Sequence, residues 1–417
     1  MKKKILLLIM AIMFAVGINA QRILSPEEAV STALKDNFDI LIARNDADIS
    51  RINNTMGNAG MLPEIGLNGS GSKNNETDKS SSVFSAGAEL SWTLFDGGKM
   101  FVTKRKLSEL QAIGELQFRS KVMEVIYNVM AAYYDVVRQK QELKYINQVI
   151  DYNRQRVTIA QTGFNAGQMD KTELLQAQID FNVAAENAIN QQNIIVKTKK
   201  ALSNILGQSN MQEYDVIDSV RFTVIPVEAD VLRNLDLSNV GILAMQKQVD
   251  VEGLALQEVK RTYLPSLNFK GGYYLSQTST SESTLHNNSH GLQMSGTLSV
   301  PIYNAGETKR KLSVAKMNLL SSQYNLNNLK LQTGIDLQNA YADYDNQTRL
   351  LRIEKDNCKL AAENMEICLK RMELGQTTSL EVHQAQENYM ESRTRLLNFQ
   401  YNLKIAETKI KQLVSSL

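Results

Sequence analysis

Three histidines and two cysteines are the residues of this chain best suited to hold a metal or carry covalent chemistry. His286 and His290 are four positions apart, the spacing of two ligands on one helical turn. They lie, however, in a tract of Ser, Thr and Asn with no cysteine and no carboxylate pair nearby, so a solvated loop is expected. His383 stands alone. Cys358 and Cys368 fall ten residues apart on one expected helix, about 15 Å along its axis, and cannot bridge each other. Cys358 also takes an apolar heptad position, which argues for packing as a small hydrophobe. The 16 methionines are scattered. No nucleophile stands with a base, no glycine-rich loop could cradle phosphate, and no paired acids close a strand. Enzymatic activity, a resident metal and a cofactor therefore have no support.

What the sequence does carry is a duplication. Leu94-Phe95-Asp96-Gly97-Gly98 returns as Ile302-Tyr303-Asn304-Ala305-Gly306, Ala166-Gly167-Gln168 as Leu374-Gly375-Gln376, and Gln176-Ala177-Gln178 as Gln384-Ala385-Gln386, all 208 residues apart. Upstream, Leu62-Pro63 matches Leu264-Pro265 and Asn37 matches Asn239 at an offset of 202. The six extra residues of the second copy must lie between Pro265 and Ile302. The chain is two copies of one supersecondary unit, rigid in length except at one loop.

The first residues read Met-Lys-Lys-Lys, then an apolar run from Ile5 to Val16 and small residues to Ala20, the pattern of a secretory signal peptide cleaved after Ala20. The run is short for a membrane anchor, and no cysteine follows it to carry lipid. Without Lys2, Lys3 and Lys4, the 46 basic residues become 43 against 44 acidic ones. That balance, with no basic block, points away from nucleic acid. No later apolar run approaches the 18 residues or so of a transmembrane helix, which excludes a carrier built of membrane helices.

Ser25-Pro26-Glu27-Glu28 reads as a capping box with proline at the first helical position, starting a helix expected to run to about Asn58. Its counterpart runs from about Asn239 to Thr262, and each ends ahead of a Leu-Pro pair. The apolar period then changes from 3.6 to 2, giving two strands per copy at about 64–72 and 82–95, and at about 266–276 and 290–303. Polar tracts at 73–81 and 277–289 join them. Helical hairpins follow at 97–206 and 305–415. Val122, Val129, Val136, Leu143, Ile150 and Val157 recur every seven residues, as do Leu337, Tyr344, Leu351, Cys358, Met365 and Met372. Heptads over this length argue for coiled-coil packing in helices of roughly 100 Å. The domain reading is thus a signal peptide at 1–20, a first repeat at 21–206, an equatorial segment at 207–236 with a short strand at 220–225, and a second repeat at 237–417.

Strands apolar on one face and polar on the other, in an exported chain, have the length and alternation of outer-membrane barrel strands. An ordinary half-buried sheet alternates equally well. Belt-forming residues near the strand ends (Trp92, Phe95, Tyr263, Tyr303) and the shortage of other elements to cover the apolar faces favour the membrane. Four strands cannot close a barrel, so it must be shared among subunits, and three would supply 12 strands.

Leu24-Ser25-Pro26-Glu27-Glu28-Ala29, Leu62-Pro63, Leu94-Phe95-Asp96-Gly97-Gly98 and the Gly167 and Gly375 turns resemble the signatures of the TolC-type outer-membrane efflux proteins, across essentially the whole mature chain. The resemblance implies an α+β fold in which two tandem repeats build a trimeric 12-stranded outer-membrane β-barrel continued by a long periplasmic α-helical barrel. It implies a homotrimer embedded in outer-membrane lipid, meeting a periplasmic adaptor and, through it, an inner-membrane efflux pump or ABC exporter. It further implies that Gly167 and Gly375 contact the adaptor, although a tight turn alone would also want glycine there. Glu381 falls at a pore-facing acidic position, and Gln384 at a second such position, where the charge is missing. Glu173, with Thr172, matches a gate linkage, while Thr377 and Met372 replace the basic and phenolic partners; Lys171 or Arg371 could substitute. Two functions follow as expectations: a passive export conduit of a tripartite efflux or type I secretion system, or a periplasmic coiled-coil scaffold that conducts nothing.

Overall fold

The computed structural model describes residues 22–75, 80–208, 214–280 and 287–416. The expected signal peptide, His286 and parts of both polar loops lie outside the described residues. One compact unit comprises residues up to Leu41, Val122–Leu232 and Ile335–Leu417; a second comprises Ile42–Lys121 and Arg233–Gly334.

Along the chain the elements are β1 (Arg22–Leu24), α1 (Pro26–Asp36), α2 (Phe38–Asn53), β2 (Glu64–Asn75), β3 (Ser80–Asp96), α3 (Lys99–Asn165) and α4 (Lys171–Ile205). They continue as β4 (Tyr214–Val216), α5 (Glu228–Ser238), α6 (Val240–Arg261), β5 (Ser266–Thr280), β6 (Asn287–Ser299), α7 (Glu307–Glu373) and α8 (Ser379–Leu413). No described helix is long and apolar enough to cross a membrane.

The capping box forms as the sequence demands. The Glu28 N–H donates to Ser25 Oγ (3.1 Å) and the Ser25 N–H to the Glu28 carboxylate (3.3 Å), while Ala29 and Ala33 face the core. The helix does not continue to Asn58. Asn37 leaves helical geometry (ψ 126°), and its Oδ1 accepts from the Ile40 N–H (3.1 Å), so one residue ends α1 and caps α2. Asn239 does the same for α6, its Oδ1 accepting from the Ile242 N–H (3.0 Å). The repeat of Asn37 at Asn239 is a repeated helix start.

The equatorial segment also departs from expectation. The short strand is β4 at 214–216, paired in parallel with β1, and residues 220–225 form no strand. Side chains satisfy that stretch instead: Lys404 donates to the Arg221 carbonyl (2.7 Å), Glu407 accepts from the Thr223 N–H (3.3 Å), and Tyr341 donates to the Pro226 carbonyl (2.9 Å). Tyr133, fully buried, donates to the Leu24 carbonyl (2.8 Å) and accepts from the Ile217 N–H (3.1 Å), fixing β1 and β4 from one hydroxyl.

In the same unit the heptads split. Val129, Val136, Leu337, Leu351, Cys358, Met365 and Met372 are buried. A second seven-residue series, Ile353, Leu360 and Ile367 on α7 with Leu374 just past its end, is 48–70% exposed, as are Leu175, Ile189 and Val196 on α4 at 46–67%. These helices carry two apolar seams, and one chain covers only one of them.

In the other unit, four antiparallel strands form a sheet in the order β2-β3-β5-β6. Register sorts most of the side chains, although Lys73, Gln277, Asn288 and His290 share the apolar face and Val83 the polar one. One face carries Ile65, Leu90 and Met294 in one row and Leu67, Ala88, Tyr273 and Leu292 in the next; the other carries Ser91, Lys270 and Ser295, then Ser70, Ser85, Ser276 and Ser289. Lys270 approaches Glu89 at 3.5 Å on the polar face. The apolar face is uncovered, with Leu67 at 86% exposure. The strands run 12 to 17 residues, longer than expected, except that β6 stops at Ser299 rather than reaching Tyr303, just ahead of Pro301, which cannot donate to a ladder.

Glu407 sits fully buried between Lys404 (3.0 Å) and Lys411 (2.7 Å). Burial pushes its carboxyl upward, but bonds from Lys411, Thr223 and Lys404 outweigh that and hold it below the usual carboxylate range. A group depressed in this way stabilises the fold above its unfolded pKa of about 4.3, and the contribution is lost as pH falls through the folded value. Melting curves should therefore lose stability below about pH 4, and Glu407→Gln should be less stable than wild type at pH 7 with a flatter acid limb. Parallel pH curves for the two proteins would contradict this role.

Candidate gate and tip site

The two hairpin tips are built alike. At the end of α3, the Gly167 N–H donates to the Phe164 carbonyl (3.0 Å) and the Gln168 N–H to the Gly163 carbonyl (2.8 Å). At the end of α7, Gly375 donates to Met372 (3.0 Å) and Gln376 to Arg371 (2.8 Å). This is the Schellman arrangement, which needs a left-handed residue, and Gly167 (φ 71°) and Gly375 (φ 68°) supply it. A Cβ at either would meet nothing within 4 Å, so backbone conformation rather than space selects glycine. The tips lie together around a cleft of about 520 Å³ lined by Thr162, Gly163, Met169, Met372, Leu374 and Gly375.

Past the second tip, Thr378 caps α8 by accepting from the Glu381 N–H (3.3 Å). The Glu381 carboxylate accepts from the Thr377 hydroxyl and lies 3.8 Å from Arg371. Both partners of that ion pair are about half exposed, at 47% and 54%, so its intrinsic stabilisation is small, about 0–1 kcal/mol. Gln384 is exposed one turn on, donating to Asn388 (3.5 Å). Glu173 occupies the first turn of α4, half-buried. Thr377 is thus engaged by Glu381 within its own hairpin, and Met372 lies in a core with Met365, Cys368, Leu369, Val382 and Tyr389. Arg371 donates to the Gln376 carbonyl (2.9 Å) and so braces its own tip.

Deeper in the same unit is a polar cluster to which neither the histidine nor the cysteine spacing points. Arg156 of α3 is fully buried and donates to Asp180 of α4 (2.9 Å), to Ser379 (2.9 Å) and to Gln386 (3.4 Å) of α8. Gln176 donates to the second oxygen of Asp180 (2.8 Å), and Asn153 to its carbonyl (3.2 Å). His383 bridges the cluster to solvent, with Nδ1 3.4 Å from Asp180 and Nε2 3.3 Å from Glu387. Two members of the repeated Gln-Ala-Gln motif, Gln176 and Gln386, belong to this cluster; that repetition was its signal in the sequence. The cluster ties the first hairpin to the second inside one chain.

The motif at the helix starts has an equally local cause. Asp96 accepts from the Met100 N–H (2.9 Å), and Asn304 from the Thr308 N–H (3.5 Å). Gly97, at φ 71°, could not be alanine without its Cβ lying 2.6 Å from Leu264 Cβ. The repeated pentapeptide turns a strand into a long helix and caps it.

The model of the family described as outer membrane efflux protein matches the chain in two stretches, residues 29–208 and 231–416, and the chain belongs to that family. It is 21% identical over 384 residues to the outer membrane protein TolC of Vibrio cholerae, covering 90% of this chain and 86% of that one. It is 20% identical over 394 residues to the cation efflux system protein CusC of Escherichia coli strain K12, covering 91% and 84%. The crystal structure of the Campylobacter jejuni CmeC outer membrane channel superposes with a TM-score of 0.79 at 18% identity, over 94% of this chain and 85% of that one. The protein is an outer-membrane efflux protein of the TolC type, resident in the outer membrane and extending into the periplasm.

Removing one partner of a buried ion pair strands the other charge, at a cost on the order of 3–5 kcal/mol, whereas an apolar pair of similar volume recovers much of the loss. Asp180→Ala should therefore lower the melting temperature of the detergent-solubilised protein and speed hydrogen exchange in α3 and α4 near the tip. Arg156→Met with Asp180→Leu should restore most of both. Equal exchange in Asp180→Ala and wild type would show that the cluster does not hold the hairpins.

Proposed function

We propose that three copies of the chain close one 12-stranded barrel in the outer membrane, and that their helical hairpins form a periplasmic tunnel through which substrates delivered by an inner-membrane pump leave passively. The observation that carries this reading is the sheet: among the described residues it has four strands, two unpaired edges and an apolar face with no cover. An open edge in lipid leaves backbone groups unsatisfied, and only closure with further strands removes it. Strands of 12 to 17 residues exceed the 9–11 or so that cross a bilayer, leaving length to extend beyond it. The exposed heptads of α4 and α7 supply matching apolar seams for neighbouring subunits.

In this reading the tip residues Gly167 and Gly375 meet a periplasmic adaptor, and the pump behind the adaptor, of the efflux or type I secretion kind, chooses the cargo. Glu381 forms a ring of carboxylates at the periplasmic constriction, with Gln384 a neutral ring one turn on. Glu173 and Thr377 stand where neighbouring hairpins meet when the tunnel is closed. A conducting tunnel, rather than a scaffold, is favoured by the apolar sheet face, which a water-soluble protein would have to bury.

The purified protein in planar bilayers should conduct and prefer cations. Glu381→Lys reverses the charge of the proposed ring and should lower the cation-over-anion permeability ratio by about threefold or more. A wild-type protein that forms no channel would sink the conduit reading; an unchanged ratio would remove Glu381 from the pore.

A further inference from the structure

The polar face of the sheet carries, among the described residues, one aromatic side chain, Tyr274 of β5. Its direct partners on both flanks are glycines, Gly87 on β3 and Gly291 on β6, and its same-face neighbour along β5 is Gly272. A Cβ added at Gly87 would lie 2.6 Å from Tyr274 Cδ1, and one added at Gly272 would lie 2.8 Å from both Cε2 and Cζ. The ring therefore lies flat on the sheet, one edge over Gly87 and the other over Gly272, in space that any side chain would fill. Glycine covered by a cross-strand aromatic stabilises the sheet, but this arrangement also does something to the exposed side. One π-face is pressed to the backbone and the other is presented outward, and the Tyr274 hydroxyl has no partner among the described residues.

The electrostatics around the ring are lopsided. The charged residues of this face, among the described ones, are Glu64, Glu89, Asp96 and Lys270, three carboxylates against one ammonium in each chain, with Asp96 engaged by the Met100 N–H. Glu89 lies opposite Gly272, the glycine under the ring, with Lys270 3.5 Å from it. Elsewhere the face carries glycines, Val83, and serine, threonine, asparagine and glutamine, none of which stacks as an aromatic ring does. A π-face carries negative quadrupole charge and attracts cations and flat aromatic surfaces.

We infer that Tyr274, held flat by Gly87 and Gly272, is a stacking platform in the barrel lumen for planar aromatic cations in transit. This rests on the proposal that the polar face lines the pore. In a trimer, three such rings would stand at one level of the barrel. A solute carrying a delocalised positive charge on a flat ring would gain there what an equally charged aliphatic solute would not.

The test is block of ionic current through the full protein in planar bilayers, with ethidium as the planar aromatic cation and tetraethylammonium as the cation without a ring. Tyr274→Leu should raise the half-blocking concentration of ethidium by about fivefold or more and leave that of tetraethylammonium unchanged. Tyr274→Phe, which keeps the ring, should block as wild type does. Gly87→Ala, which must push the ring off its floor, should weaken ethidium block. Gly66→Ala, on the same face with open space around the new methyl, should not. A conducting pore whose ethidium block ignores Tyr274→Leu overturns the platform alone. Equal effects of Gly87→Ala and Gly66→Ala overturn the role of the glycine floor, and absence of any current overturns the pore reading and the platform with it.

Discussion

Hydrocarbon offers a backbone no hydrogen-bonding partner, and that constraint governs this molecule more than any single contact. A sheet of four strands with β2 and β6 at its edges satisfies its interior ladders and leaves two rows of donors and acceptors open. In water such edges are a liability that proteins blunt with charge, proline or a covering element. Here the strands are long, one face carries rows of Ile, Leu, Met and Tyr, and in the proposed trimer closure with identical strands answers the edges while hydrocarbon covers the apolar face. Duplication fits that logic. Each copy contributes one hairpin, β2-β3 or β5-β6, and the pairing of β3 with β5 seats the two side by side, as further pairs would continue the sheet.

The helices follow a second constraint, that a long helix needs apolar cover along its length. In α7 one heptad is buried and another, Ile353, Leu360 and Ile367, faces outward, a seam that in the proposed trimer a neighbouring subunit covers. Against this apolar background the buried Arg156–Asp180 cluster is an exception whose value lies in specificity: Arg156 reaches α4 and α8 at once and fixes the register of the two hairpins near their tips.

Much of the architecture was legible because its determinants are local. Ser25 and Glu28, the Asn37 and Asn239 caps, Asp96 with Gly97 and Gly98, and the tip glycines each act within a few residues of themselves, and period 2 against period 3.6 separates strand from helix. The break at Asn37 was marked by the Asn repeat but hidden by an apolar pattern that runs through it. The short strand of the equatorial segment was misplaced because the backbone at 221–226 is satisfied by Lys404, Glu407 and Tyr341, distant in sequence, where no periodicity reports. Arg156 and Tyr274 were opaque for the same reason. Their meaning comes from what lies against them, a carboxylate 24 residues away in one case, and in the other a glycine on the neighbouring strand and a second two residues back on the same strand.

The proposed tunnel depends on closure of the sheet by other copies of the chain. Its most direct measurement is the native mass of the protein extracted from outer membranes in detergent, corrected for bound detergent. Three subunits are predicted, with the trimer persisting on dilution. A folded monomer would contradict the shared barrel, because its open strand edges would then have to be satisfied by something other than a second copy.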